Sequence, residues 1–103
     1  MFNQKQLMNQ LKKMHESVLR VQEELKIERV EGASGDGKVR ALVNGHMEIQ
    51  SVKIDSSLLV PDDAEILEDL IVLAVQDAAE KARQLSMQRL GPLAGGMQIP
   101  GLI

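Results

Sequence analysis

The sequence predicts an α+β fold: a long N-terminal helix, a three-stranded antiparallel meander and a long C-terminal helix. Three observations carry this. Leu7, Leu11, Met14, Val18, Val21 and Leu25 recur at alternating spacings of four and three, which is the seam of a helix packed along another helix. Val39, Ala41 and Val43 alternate with Arg40 and Leu42 ahead of Asn44-Gly45, a strand period running into a hairpin turn. A second stretch of helical period follows Pro61 and meets Gly91-Pro92, a pair that stops helices.

The first helix is expected from about Asn3 to Lys26, with Lys12, Glu16, Arg20 and Glu24 forming a ladder of alternating charge on its outer side. Such a helix is about 36 Å long, more than a three-stranded sheet can cover, so its seam needs a second helix. The first strand is expected at Ile27–Gly32, the second at Lys38–Asn44 and the third at His46–Asp55. In the third strand, Met47 and Ile49 are one residue out of step with Val52 and Ile54, so a bulge near Gln50-Ser51 is expected to bring all four to one face. Asn44-Gly45 reads as a type I′ turn, in which both residues take positive φ.

Asp62 with Glu65 fits a capping box at the start of the second helix. The core face of that helix should be Leu67, Leu70, Ile71, Ala74, Ala78, Ala82 and Leu85, yet Val72 and Leu73 make it apolar all round over Leu70–Val75. A second copy of the chain is the expected cover, with Ala74, Ala78 and Ala82 allowing close helix approach. Residues 1–90 are read as one domain and residues 91–103 as a flexible tail, rich in Gly and Pro but carrying Leu, Met and Ile.

Several function classes are excluded. Gly32-Ala33-Ser34-Gly35-Asp36-Gly37-Lys38 is one residue short of a phosphate-binding loop, since Val39 replaces the metal-holding hydroxyl. The residues that follow read as a strand, whereas phosphate binding needs a helix N-terminus. Cysteine is absent and His15 and His46 have no metal-ligand spacing. The acids at Asp62, Asp63, Glu65, Glu68 and Asp69 lack the calcium-loop pattern. Ser34 sits in no nucleophile motif, so no enzyme, cofactor or small-molecule substrate is expected. Met1 to Lys5 lacks a signal-peptide core, and the longest apolar run is far short of a membrane span. A cytoplasmic protein with no membrane partner is expected.

The net charge is −3, but residues 1–60 hold nine Lys/Arg against eight Asp/Glu, and residues 61–103 hold three against seven. Phe2 is the only aromatic residue, which excludes recognition by base stacking. Any nucleic-acid contact must then run through backbone phosphates, with strong salt dependence and low sequence preference. The candidate contacts are Lys12, Lys13 and Arg20 on the first helix and Lys81, Arg83 and Arg89 at the end of the second.

Local words along nearly the whole chain resemble the YbaB/EbfC family of bacterial nucleoid-associated proteins. They are Gln22-Glu23-Glu24-Leu25, Val30-Glu31-Gly32-Ala33-Ser34-Gly35-Asp36-Gly37, Val43-Asn44-Gly45, Val52-Lys53-Ile54-Asp55-Ser56-Ser57-Leu58-Leu59, Leu67-Glu68-Asp69-Leu70-Ile71, Ala74-Val75-Gln76-Asp77-Ala78 and Gly95-Gly96-Met97-Gln98-Ile99-Pro100. Together, in order and at family spacing, they are specific. Two positions depart from family habit: Ser56 stands where Pro is usual, and Glu80 stands in a basic region, leaving Lys81 as the matching base. The resemblance implies an intertwined or tweezer-like homodimer with projecting helices. It also implies double-stranded DNA binding, a nucleoid location, a role in nucleoid organisation and gene regulation, and no enzymatic activity. The helix–hairpin–helix order is also similar to prefoldin subunits, which makes a protein-binding, chaperone-like coiled-coil module the competing expectation.

Overall fold

The computed structural model describes residues 3–94. Its elements are α1 (Gln4–Ile27), β1 (Val30–Ser34), β2 (Val39–Val43), β3 (Ile49–Ile54), two short 3₁₀ turns at Ser56–Leu58 and Pro61–Asp63, and α2 (Ala64–Ala94). The sheet is an antiparallel meander in the order β1-β2-β3. The expected α+β fold and element order are therefore present. Asn3 caps α1, its Oδ1 accepting the Gln6 N–H at 2.8 Å.

α2 lies across β1 and β2. Val39, Ala41 and Val43 of β2 and Ala74, Ala78 and Ala82 of α2 are fully buried together, with Leu67, Leu70, Ile71 and Val75 packed around them. The alanine stripe is thus used inside the chain, against the sheet, and not against a helix of a second copy as its spacing suggests. The reason lies in β1: Gly32 presses directly on the α2 backbone, and a Cβ there would sit inside the Ala74 carbonyl and the Ala78 amide. Small residues on both sides let the strand and helix backbones meet.

Polar bonds fix the same contact. The Ala33 N–H donates to Asp77 Oδ2 at 3.0 Å, the Ser34 hydroxyl donates to the Leu70 carbonyl at 2.5 Å, and Lys81 Nζ donates to the Glu31 carbonyl at 3.4 Å. As β1 steps back from Ser34 to Glu31, its partners on α2 step forward from Leu70 to Lys81, so the two run antiparallel. The Ala33 N–H, and after it Lys81, holds the Asp77 carboxyl below its usual pKa.

The glycine segment makes the β1–β2 turn. Gly35, Asp36 and Gly37 all have positive φ, at 58°, 57° and 84°, and the Gly37 N–H donates to the Ser34 carbonyl. This is a tight strand connection, not a helix start. The β2–β3 turn differs from expectation. Neither Asn44 nor Gly45 is among the residues with positive φ, whereas Met47 has φ 63°. Asn44 is 2% exposed and uses its whole side chain. Its Oδ1 accepts the His46 and Glu48 N–H groups, and its Nδ2 donates to Glu48 Oε1 and to the Lys26 carbonyl at the end of α1. Gly45 is small because Leu25 leaves no space: its N–H donates to the Leu25 carbonyl at 2.7 Å, and a Cβ would come within 2.7 Å of Leu25. The expected bulge is present, since Leu42 pairs with Ser51 while Val43 pairs with Ile49, skipping Gln50.

Two helix ends differ from the sequence-based expectation. Asp62 and Asp63 belong to a 3₁₀ turn that runs into α2, and its cap residue, Val60, makes no side-chain cap bond, so no capping box forms at Asp62. α2 continues past Gly91-Pro92 to Ala94. Gly91 adopts no positive φ, and Pro92 lies inside the helix, where it removes one backbone N–H donor without breaking the helix at that point. The residues from 95 on, expected to be flexible, lie outside the described residues.

Replacing Gly32 with Ala should destabilise the fold by at least about 1–3 kcal/mol, because the methyl group meets backbone that cannot yield. Gly91→Ala, in open space on α2, should stabilise by about 0.5–1 kcal/mol. Urea denaturation of both variants checks the pair. A second expectation concerns acid. A carboxyl whose pKa is lowered on folding contributes stability above its ordinary value of about 4 and loses it as pH falls through the folded value. Asp77→Asn should therefore lower the urea midpoint at neutral pH and shrink its fall on acidification.

Candidate functional site

The molecule measures 70 × 25 × 16 Å. α2, with 31 residues, spans only about 47 Å at 1.5 Å per residue, so α1 must extend the long axis. The antiparallel run of partners continues into α1. Arg89, near the end of α2, bonds Glu28 at 2.7 Å and lies 3.7 Å from Glu24. The two helices meet near their C-terminal ends, and α1 then leads outward. Its seam is covered only in part: Leu25 is buried, Met14, Val18 and Val21 are half-buried, and Leu7 and Leu11 are exposed.

This outward half of α1 carries the cations. Lys5 and Lys12 are seven residues apart, as are Lys13 and Arg20. Both pairs therefore keep one side of a helix of 3.6 residues per turn, opposite the seam. All four are exposed. Between residues 4 and 20 they face the single acid Glu16, a local charge of +3 on a chain of net −3. Among the described residues, no carboxylate lies within ion-pair distance of Lys12, Lys13 or Arg20. Lys5 shares their face and is absent from the sequence-derived candidates; its spacing of seven from Lys12 was the available signal.

The three α2 bases are placed differently. Lys81 lies 3.1 Å from Asp77 Oδ2. Arg83 bonds Glu80 through Nη2 at 2.5 Å and through Nε at 2.9 Å, which lowers the Glu80 pKa and raises that of Arg83. Arg89 is held by Glu24 and Glu28. Positions 81, 83 and 89 point in different directions around the helix. The structure brings Lys12, Lys13 and Arg20 together on one face, and it places Lys81, Arg83 and Arg89 in separate intrachain ion pairs.

Among the described residues, no group of three His, Cys, Asp or Glu side chains could hold a metal ion. His46 points its Nε2 at the Gln22 carbonyl, 2.9 Å away, and so ties the β2–β3 turn to α1. No described helix is long and apolar enough to cross a membrane.

Residues 1–97 match the model of the YbaB/EbfC DNA-binding family. The chain is 48% identical over 99 residues to a nucleoid-associated protein of Roseiflexus sp. (strain RS-1), covering 96% of this chain and 98% of that one. It is 44% identical over 95 residues to a nucleoid-associated protein of Syntrophobacter fumaroxidans, covering 92% and 86%. The crystal structure of the uncharacterized Helicobacter pylori protein HP0035 is similar in fold, with a TM-score of 0.71 at 26% identity, covering 94% of this chain and 98% of that one. The chain belongs to the YbaB/EbfC DNA-binding family, a family of nucleoid-associated proteins and not of enzymes.

Proposed function

We propose that the protein is a homodimer that binds double-stranded DNA through backbone phosphates, with low sequence preference, and acts in nucleoid organisation and gene regulation. The observation that carries the reading is the α1 arm. Lys12, Lys13 and Arg20, joined by Lys5, line its outer face around the single acid Glu16, and among the described residues no carboxylate lies within ion-pair distance of Lys12, Lys13 or Arg20. The contacts are electrostatic because the chain offers no aromatic platform beyond Phe2. Charge position matters here, since a dimer of net −6, twice −3, is repelled by DNA except where cations are grouped. Lys81, Arg83 and Arg89 would have to leave their carboxylates to reach a phosphate, so they serve as secondary contacts. A nucleoid location follows from the same reading and from the names of the relatives.

The homodimer is supported by apolar surface that the single chain leaves open. β3 pairs Ile54 with Val39, Val52 with Ala41 and Ile49 with Val43, so these three face the same side as the buried residues of β2. α2 covers β1 and β2 but stops short of β3, and Ile49, Val52 and Ile54 remain 36% to 57% exposed. Ile66, Val72 and Leu73 of α2 are exposed as well. A small domain does not leave that much apolar surface in water without a partner, and a self-complementary pairing of two copies covers it.

Two measurements test the proposal. In fluorescence anisotropy with a duplex, affinity should fall steeply with salt. Combining Lys12→Ala, Lys13→Ala and Arg20→Ala should reduce the slope of log K against log salt by about 0.9 for each phosphate that is no longer neutralised. Arg83→Ala should change it little. A slope that ignores the α1 substitutions would sink the assignment. In light scattering, the wild-type chain should have twice the 11.4 kDa monomer mass, and Val52→Glu, which puts a charge into the apolar stripe, should shift it toward monomer. A monomeric wild type at micromolar concentration would remove the dimer.

A further inference from the structure

We propose that the outer face of the sheet, where Lys38, Arg40 and Lys53 meet, is a second contact for DNA backbone phosphates, separate from the α1 arm. Val39, Ala41 and Val43 are buried against α2, so Lys38 and Arg40 point to the other side by the alternation of a strand. Arg40 pairs with Lys53 of β3, which sets the two cations side by side on that outer face, about 5 Å apart at Cβ. Lys38, Arg40 and Lys53 are all exposed, and with Gly37, Ile54 and Asp55 they line one open depression. Lys38 and Asn44 are about 20 Å apart along an extended strand, so the patch sits at the opposite end of β2 from the turn that clamps α1.

Like charges directly opposite each other on a sheet repel and lower stability, so Arg40 beside Lys53 is a local cost that folding alone does not explain. Arg40 is held in place: its Nε donates to the Gly37 carbonyl at 3.2 Å, and its Nη1 lies 3.4 Å from Glu31 Oε1. Among the described residues, no carboxylate lies within ion-pair distance of Lys38 or Lys53, that of Asp36 in the adjoining turn included. Asp55, just after β3, is engaged elsewhere. Its Oδ1 accepts the Ser57 N–H at 2.9 Å, and bonding to Ser57, ahead of the Lys38 charge, holds its carboxyl below the usual pKa. A phosphate between Arg40 and the two lysines relieves their repulsion and accepts charge-assisted bonds. The depression is open, which suits an extended polyanion and not an enclosed small ligand. The pairing of copies proposed above uses the opposite face of β3, so this face stays open in the dimer.

The patch would act on the same DNA as the α1 arm, so its assignment rests on the DNA-binding reading above, and the two are separable by experiment. Anisotropy with a duplex is measured across salt for the full-length wild type and for Lys38→Gln combined with Lys53→Gln. The double variant should reduce the slope of log K against log salt by about 1 for each lysine that meets a phosphate. Its urea midpoint should equal or exceed that of the wild type, because Gln removes a like charge facing Arg40. Lys38→Arg combined with Lys53→Arg should keep the wild-type slope. A double Gln variant with the wild-type slope would overturn the sheet contact and leave the α1 contact standing. A wild type that binds no duplex at low salt would overturn both. NMR supplies a readout independent of net charge: the duplex should shift the wild-type amides of residues 37–40 and 53–55. Shifts there with millimolar inorganic phosphate but none with the duplex would assign the patch to a free anion and overturn the proposal, as would no shift with either.

Discussion

The structure depends on the direct contact between the backbones of β1 and α2. Gly32 meets Ala74 and Ala78 with no side chain between them, and the fully buried core on this side of the sheet consists of alanines and valines only. A thin core yields little hydrophobic stabilisation per residue. The polar bonds of Ala33 to Asp77 and of Ser34 to Leu70 therefore matter more than they would in a thicker domain. They also set the direction of everything that follows. Because β1 is antiparallel to α2, the helix preceding β1 must meet the far end of α2, and α1 leaves the body there instead of folding back over the sheet.

A second junction holds the arm at that angle. Asn44 bonds the Lys26 carbonyl, Gly45 bonds the Leu25 carbonyl and His46 reaches the Gln22 carbonyl. The final carbonyls of a helix have no partner within the helix, and here the β2–β3 turn supplies donors to two of them, Leu25 and Lys26. Arg89 adds its pairs with Glu24 and Glu28 from the other side. The base of α1 is thus clamped between a turn and a helix end, while the cation-bearing half stands clear.

Much of this was legible in the sequence because the responsible signals are local. The seam from Leu7 to Leu25 placed α1 to within a residue at each end. The phase break between Ile49 and Val52 located the bulge at Gln50. What was not legible depends on contacts between distant segments. Asn44-Gly45 has the composition of a type I′ turn, yet its conformation answers to the end of α1, eighteen residues earlier in the case of Asn44 and Lys26. The stripe of Ala74, Ala78 and Ala82 has the same spacing whether a helix or a strand lies on it, and only Gly32 in three dimensions decides. Of the candidate bases, those on α1 could be grouped from their heptad spacing. Lys81 and Arg83 pair with Asp77 and Glu80 at helical spacings of four and three, a signal present in the sequence, whereas the pairs of Arg89 with Glu24 and Glu28 on α1 leave no local pattern.

The placement of seam and cations on opposite sides of one helix separates two selective demands. Among the described residues, Lys5, Lys12, Lys13 and Arg20 make no ion pair with the side chains that hold the arm to the body, so most substitutions at these four positions should add independently to changes at the junction. Lys5, Lys12, Lys13 and Arg20 can be exchanged, lost or multiplied over evolutionary time with little cost to folding. On the proposed reading of α1 as the DNA contact, a lineage could retune affinity to suit its own intracellular salt while inheriting the same scaffold.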